Sequence, residues 1–509
     1  KGGWASPTPA ILSGGPATGG GSGRRRPPGP GRFTGVSPPG LRQAEEKMRA
    51  AGEPDPAIAA FGNRYHQLAA GSDGAIRESE IEPLDAPTSL EDLPDPDAAA
   101  REALDRTVVV KINGGLGTSM GLSRAKGLLV VKDGLSFLDI IARQVLALRR
   151  RHRVRLPLVL MDSARTHDDS LAALRAYPDL PVDLPLDFLQ GLEPKLRTDD
   201  LSPVDWPADP ELEWCPAGHG DLYVSLLGSG MLGRMRSRGY EYAFISNTDN
   251  LGAVADPRVL GWMLAEELDF VSEQCDRTPA DRKGGHLARS RRDGRLVLRE
   301  TAQTAREDQA AMQDIDRHRF FNANNIWLRL AALEDLLAAQ DGVLSLPLIR
   351  NEKTVDPSDP SSPAVYQLET AVGSAVALFE RASALRVGRD RFAPVKTTDD
   401  LLVLRSDCFD LDGDARILPS PRRHRAGPPY VELDPDHFKL LDDFEPRFAE
   451  GPPSLVDCDR LVVRGDVAFG RGVIVRGSAE IDHSGAGSPL RIEDGAVLGG
   501  DGDPAAPGA

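Results

Sequence analysis

Apolar positions along the chain change period near residue 107. Before it, Ile58, Phe61, Tyr65 and Leu68 recur every three or four residues, the spacing of a helix with one buried face. Asp55-Pro56 opens that helix with an N-cap and a proline at the first helical position, and Gly71 stops it; a shorter helical stretch at 44–51 precedes. After it, β-branched runs at 107–112, 156–161, 242–245 and 270–273 read as buried strands, and 137–151, 226–238 and 259–267 read as helices. Such alternation predicts an α/β fold, with a mainly parallel, Rossmann-like sheet covered by helices on both faces. Arg292-Asp293-Gly294 between two strand-like runs adds a hairpin, so the sheet is expected to be mixed.

Punctuation divides the chain. Gly, Pro, Ser and Arg dominate residues 1–43 without apolar periodicity, a composition that predicts a disordered tail. Residues 44–105 read as a helical appendage and an acidic, Pro-rich linker, 106–405 as the main domain and 406–451 as a connector. In 452–500, Leu461, Val467, Val473 and Ala479 fall six residues apart with glycines between them, the pattern of hexapeptide β-helix repeats. So few repeats predict a small capping domain, and 501–509 a second disordered tail.

A net charge of −16 argues against a broad nucleic-acid surface, so any phosphate site must be local. Cys215, Cys275, Cys408 and Cys458 lie tens of residues apart, which suggests neither a zinc site nor a disulfide framework and fits a reducing, cytoplasmic setting. No apolar run is long enough for a bilayer, and Arg24-Arg25-Arg26 is followed by prolines where an export signal needs an apolar segment, so no membrane association is expected.

The strongest chemical signal follows the first strand of the main domain: Lys111-Ile112-Asn113-Gly114-Gly115-Leu116-Gly117-Thr118-Ser119-Met120-Gly121. Glycines at the carboxyl end of a strand let backbone N–H groups approach phosphate without side chains in the way. A Walker loop is excluded, because no lysine here follows glycine with Ser or Thr behind it. Lys126 stands just beyond the glycines, within reach of phosphates that the loop would cradle.

At these residues the chain resembles the UTP:glucose-1-phosphate uridylyltransferases. The resemblance extends with gaps from about residue 105 into the C-terminal repeats. It implies a nucleotidyltransferase domain on a mixed, mainly parallel sheet with a small C-terminal left-handed β-helix-like domain. It also implies that Ile112, Asn113, Gly114, Gly115 and Lys126 bind the nucleotide, that the loop from Asn113 to Gly117 holds its phosphates and that Lys126 stabilises charge on the pyrophosphate side. Gln190 resembles the glutamine that reads uracil, an apt choice because an amide both donates and accepts. In Gly218-His219-Gly220-Asp221, Gly218 would pass the base and His219 would meet the sugar phosphate. In Ser246-Asn247-Thr248-Asp249, Asn247 is the nucleotide-side residue and Asp249 the Mg²⁺ ligand. Gly284, Glu300 and Asn322 would serve the sugar, and Lys396 the nucleotide phosphates. Gln367-Leu368-Glu369 is read as a helix start. Ala125, Ala217 and Lys195 depart from the family's pattern without removing a ligand.

The implied reaction is reversible: a glucose 1-phosphate oxygen attacks the UTP α-phosphorus in line, giving UDP-glucose and pyrophosphate. A relative acting on N-acetylglucosamine 1-phosphate or several sugars, and a catalytically silent sugar-nucleotide sensor, remain the competing readings. The few repeats disfavour an acyltransferase. Self-association through the C-terminal strands is a further expectation.

Overall fold

The computed structural model describes residues 38–500, apart from residues 73, 279, 280, 426 and 486. The expected tails therefore lie outside the described residues for 1–37 and 501–509.

The strands of the central sheet, numbered along the chain, are β1 Thr88–Ser89, β2 Thr107–Ile112, β3 Leu158–Asp162, β4 Asp187–Leu189, β5 Tyr242–Asn247, β6 Phe270–Asp276, β7 Phe320–Arg329 and β8 Ala382–Arg386. They lie in the order β1-β8-β6-β7-β5-β2-β3-β4. Within this sheet β7 alone is antiparallel to its neighbours, β5 and β6; the other pairs are parallel. The architecture is thus α/β with a mixed, mainly parallel sheet. Side chains alternate across it: Val109 and Phe244 pack in one buried cluster, and Val108, Val110, Ala243 and Ile245 in the other. Helix Phe137–His152 begins where the Ser136 hydroxyl accepts the Asp139 N–H, and it stops at Arg153 in a left-handed conformation.

Four expectations change. The hairpin at Arg292-Asp293-Gly294 exists, but its strands His286–Ser290 and Leu296–Arg299 join Ile81–Pro83 in a separate sheet; the antiparallel member of the central sheet is β7. The helix expected over 226–238 is two helices, Leu222–Gly228 and Met231–Ser237, interrupted at Gly230, which has φ 71°. Gln367, Leu368 and Glu369 are in strand Ala364–Glu369, paired with Ile349–Thr354, and are not a helix start. The first helix spans Pro39–Ala50 and so begins inside the segment assigned to the tail. Packing explains that extension: a Cβ at Gly40 would stand 2.6 Å from the Leu201 carbonyl oxygen, so this turn is seated against the rest of the protein.

At the C-terminal end, Cys458–Gly465, Val467–Phe469 and Ile474–Val475 pair in parallel with Gly477–His483, Leu490–Ile492 and Val497–Leu498 respectively. Leu461 lies opposite Ala479, three hexapeptides on, and Leu461, Val467, Val473 and Ala479 are all buried. Leu461, Val463 and Val467 share one apolar cluster with Phe438, Phe444 and the sheet residue Phe244. The buried side chains of the coil are therefore continuous with the main core.

Candidate active site

Parallel β2, β3, β4 and β5 deliver their carboxyl ends to one edge of the sheet, with Asn247 in register with Ile112. The Thr248 N–H and hydroxyl both donate to the Ile112 carbonyl, at 3.1 and 3.0 Å, which ties the two loops together at their roots. Beyond β2 the chain turns back through Gly117 (φ 70°) so that the Lys126 N–H donates to the Gly115 carbonyl at 3.1 Å. That return places Lys126 Nζ 2.7 Å from Asp249 Oδ2, joining two residues 123 apart in sequence. Each of these side chains is about one-fifth exposed, so both remain open to a ligand.

Gln190 leaves the end of β4 with its N–H on the Asp162 carbonyl at 2.7 Å. Its amide lies flat on the glycine loop: a Cβ at Gly114 would stand 2.6 Å from both amide heteroatoms, so glycine there leaves the room that Gln190 occupies. Asn113 spends its side chain beneath the loop, donating to Asp162 Oδ1 at 2.7 Å and Ser170 Oγ at 2.8 Å. Gly218 (φ 80°) and Gly220 pass against Glu369 and Thr370, and the Gly220 N–H donates to the Thr370 carbonyl. Between them His219 is half-buried. Its Nδ1 accepts the Val372 N–H at 2.9 Å, and burial lowers its pKa to about 4. The ring is therefore neutral near pH 7 with its proton on Nε2, and that nitrogen is a hydrogen-bond donor.

Residues Gly284, Glu300 and Asn322 gather at the amino half of β7. The Asn322 N–H donates to the Gly285 carbonyl at 2.9 Å, and a Cβ at Gly285 would meet the Glu300 carboxylate at 2.4 Å. Gly284 lies on the Phe321 ring. Burial raises the pKa of Glu300, while the charge of Lys396, an exposed residue, opposes that shift. Asn322 is buried in β7, and its Oδ1 accepts from Ser272, Gln274 and Asn324. Asn247 Oδ1 accepts from Asn324 Nδ2 at 3.1 Å, linking the two asparagine-bearing strands.

Sequence reading assigned no role to the buried polar layer under these loops. Arg391 donates to both Glu273 oxygens; Trp327 and Asn325 donate to the same carboxylate. The β6–β7 register shifts between Ser272 and Gln274, so Glu273 sits in the bulge, and Asn324 opposite has φ 55°. Lys111 donates to Ser246 Oγ at 2.7 Å and to the Ala253 carbonyl at 3.0 Å; burial, aided by the Arg391 charge, lowers its pKa to about 7. Asn250 carries the layer to the 391–396 segment, donating to the Arg391 carbonyl and accepting the Ala393 N–H at 3.0 Å. The one visible signal was a charged residue at a buried position in each of two strands, Lys111 in β2 and Glu273 in β6.

A family model described as UTP--glucose-1-phosphate uridylyltransferase matches residues 58–476. The chain belongs to this family. A UTP--glucose-1-phosphate uridylyltransferase from Solanum tuberosum is 38% identical over 402 residues, spanning 79% of this chain and 82% of its own. One from Hordeum vulgare is 39% identical over 401 residues, with the same two coverages. A crystal structure of a UDP-glucose pyrophosphorylase mutant from Leishmania major, in complex with UDP-glucose, superposes with a TM-score of 0.86 at 44% identity and covers 91% of this chain and 98% of its own. The family match thus takes in the central sheet, the loops at its carboxyl edge and the first three strands of the C-terminal coil. Among the described residues no helix is long and apolar enough to cross a membrane.

Proposed function

We propose that this chain is a UTP:glucose-1-phosphate uridylyltransferase that makes UDP-glucose and pyrophosphate reversibly. The observation that carries the reading is the Lys126–Asp249 pair beside the glycine loop, with the Gln190 amide lying against Gly114. A glucose 1-phosphate oxygen attacks the UTP α-phosphorus in line, the new P–O bond forms, and the bond to pyrophosphate breaks with its electron pair. Transfer of this kind rests on positioning and charge compensation, not on a protein nucleophile. The loop from Asn113 to Gly117 holds the nucleotide phosphates, with Ile112 at its root. Lys126 and Lys396 balance charge on the nucleotide and the departing pyrophosphate. Gln190 and Gly218 contact the base, and Asn247 the nucleotide. The neutral His219 donates from Nε2 to the sugar phosphate, and Gly284, Glu300 and Asn322 form the sugar side.

Magnesium fits Asp249. Among the described residues no cluster of three or more acidic, histidine or cysteine side chains could hold a metal by itself. Mg²⁺ is commonly held by one or two carboxylates plus substrate phosphates and water, and bound there it would neutralise phosphate charge. The reading includes a left-handed β-helix-like domain at 452–500, a catalytic domain at 106–405 and a cytoplasmic setting, the last supported by four buried free cysteines. It also includes self-association through the C-terminal strands, where Val497 is exposed; an unchanged sedimentation mass for Val497→Asp would leave that contact without support. The functional test is pyrophosphate release with magnesium across nucleoside triphosphates and sugar 1-phosphates. UTP with glucose 1-phosphate is the expected best pair, and no release from it overturns the proposal.

A further inference from the structure

The helical pair Pro39–Ala50 and Asp55–Ala69 lies outside the central sheet, and sequence reading treats it as an appendage. Its polar side chains join it to the loop that follows Gln190. Glu53, between the helices, accepts the Leu192 N–H on Oε1 at 3.3 Å. The preceding N–H, of Gly191, donates to Asp221 Oδ2 at 2.8 Å, and the Ser225 hydroxyl donates to the same oxygen. A Cβ at Gly191 would stand 3.1 Å from Asp221 Oδ2 and 3.4 Å from Glu53 Oε2, so the two carboxylates flank one backbone step. The next residue, Glu193, is paired with Arg64 of the second helix, and both are buried. Ala57 and Ala60 of that helix pack on Val224, in the helix that Asp221 leads into.

Three consecutive residues after Gln190 are therefore each tied down: Gly191 by the His219 loop, and Leu192 and Glu193 by the N-terminal helices. A backbone held this closely fixes where the preceding side chain points, because a small shift of the step would swing the Gln190 amide off Gly114. Burial raises the pKa of Glu53 to about 7, against the Leu192 N–H and with the Asp221 charge. Glutamine at this position thus reproduces the neutral form and keeps the acceptor.

We propose that Glu53 is a positioning residue for the nucleotide, holding the Gly191-Leu192 backbone so that Gln190 meets the base. The proposal rests on the reading of Gln190 as the base contact. Three variants test it: Glu53→Ala, Glu53→Gln and Gln190→Ala, each checked by thermal melting for a folded chain and assayed with UTP and glucose 1-phosphate varied separately. Loss of one hydrogen bond predicts that Glu53→Ala raises KM for UTP about tenfold, with kcat and KM for glucose 1-phosphate within about twofold. Glu53→Gln should stay within about twofold of the parent in all three constants. An unchanged KM for UTP in Glu53→Ala, an equal rise in both KM values, or a Glu53→Gln variant as impaired as Glu53→Ala overturns the proposal. Gln190→Ala separates the two failures. If it leaves KM for UTP unchanged, the base reading fails and takes this role with it; if it raises that KM and Glu53→Ala does not, the positioning role alone fails.

Discussion

The floor and the rim of the site are both charged, yet their charges have different partners. On the floor Arg391, Glu273, Trp327 and Asn325 saturate one another, and Lys111 is spent on Ser246 and the Ala253 carbonyl. On the rim Lys126 and Asp249 share a single contact and stay partly exposed, and Lys396 lies at the surface. A buried charge must be matched inside the protein because leaving it unmatched costs several kcal/mol. A rim charge exchanges water for a ligand at little cost to the fold. The floor should therefore govern stability and the rim turnover.

The largest expected effect is on the floor. Glu273→Ala strands the buried Arg391 and should cost about 3–5 kcal/mol in urea unfolding; a loss below about 1 kcal/mol would remove the distinction between floor and rim. Next comes Lys126→Ala, which should lower kcat by about 10²-fold or more, by analogy with lost oxyanion donors. Its stability should change by less than about 1 kcal/mol, so the rim loses its separate character if the melting temperature falls with the rate.

The two glycines sharpen the comparison on a finer scale. A Cβ at Gly115 meets nothing within 4 Å, whereas one at Gly114 meets Gln190. Gly115→Ala should leave the melting temperature unchanged and, on the proposed role of the loop, still weaken UTP binding in calorimetry, because the added methyl enters open space where that role puts the nucleotide. Gly114→Ala should lower both. The smallest effect is on pH dependence. The His219 pKa falls from 6.5 unfolded to about 4 folded, so between these values the unfolded chain binds more protons and stability falls as pH drops from 6.5 toward 4. His219→Asn should flatten the slope of unfolding free energy in that window; an unaltered slope would show that the ring is not held neutral by its packing.

Local chemistry made part of this legible. The apolar run at 107–112 is a strand because its β-branched residues are buried on both faces of a parallel sheet, and the glycines after it mark a close backbone approach whatever surrounds them. The hexapeptide spacing likewise survives in the coil, since Leu461 and Ala479 must stack one turn apart. Other features had no local signature. Nothing in Phe320–Arg329 indicates that it runs against its neighbours, and nothing in 226–238 except its glycines indicates the break at Gly230.

Sequence by itself determined the α/β class and the glycine loop after the first strand of the main domain, because periodicity and glycine placement act over a few residues. The motif from Asn113 to Gly121 carried the resemblance to the family. Tertiary structure decided which side chains the site shares: Lys126 with Asp249, Gln190 with Gly114, Glu273 with Arg391, Glu53 with Leu192. Those pairs are brought together by strand order, a bulge and the docking of the N-terminal helices. Their strength depends on burial, which emerges only once distant segments have packed.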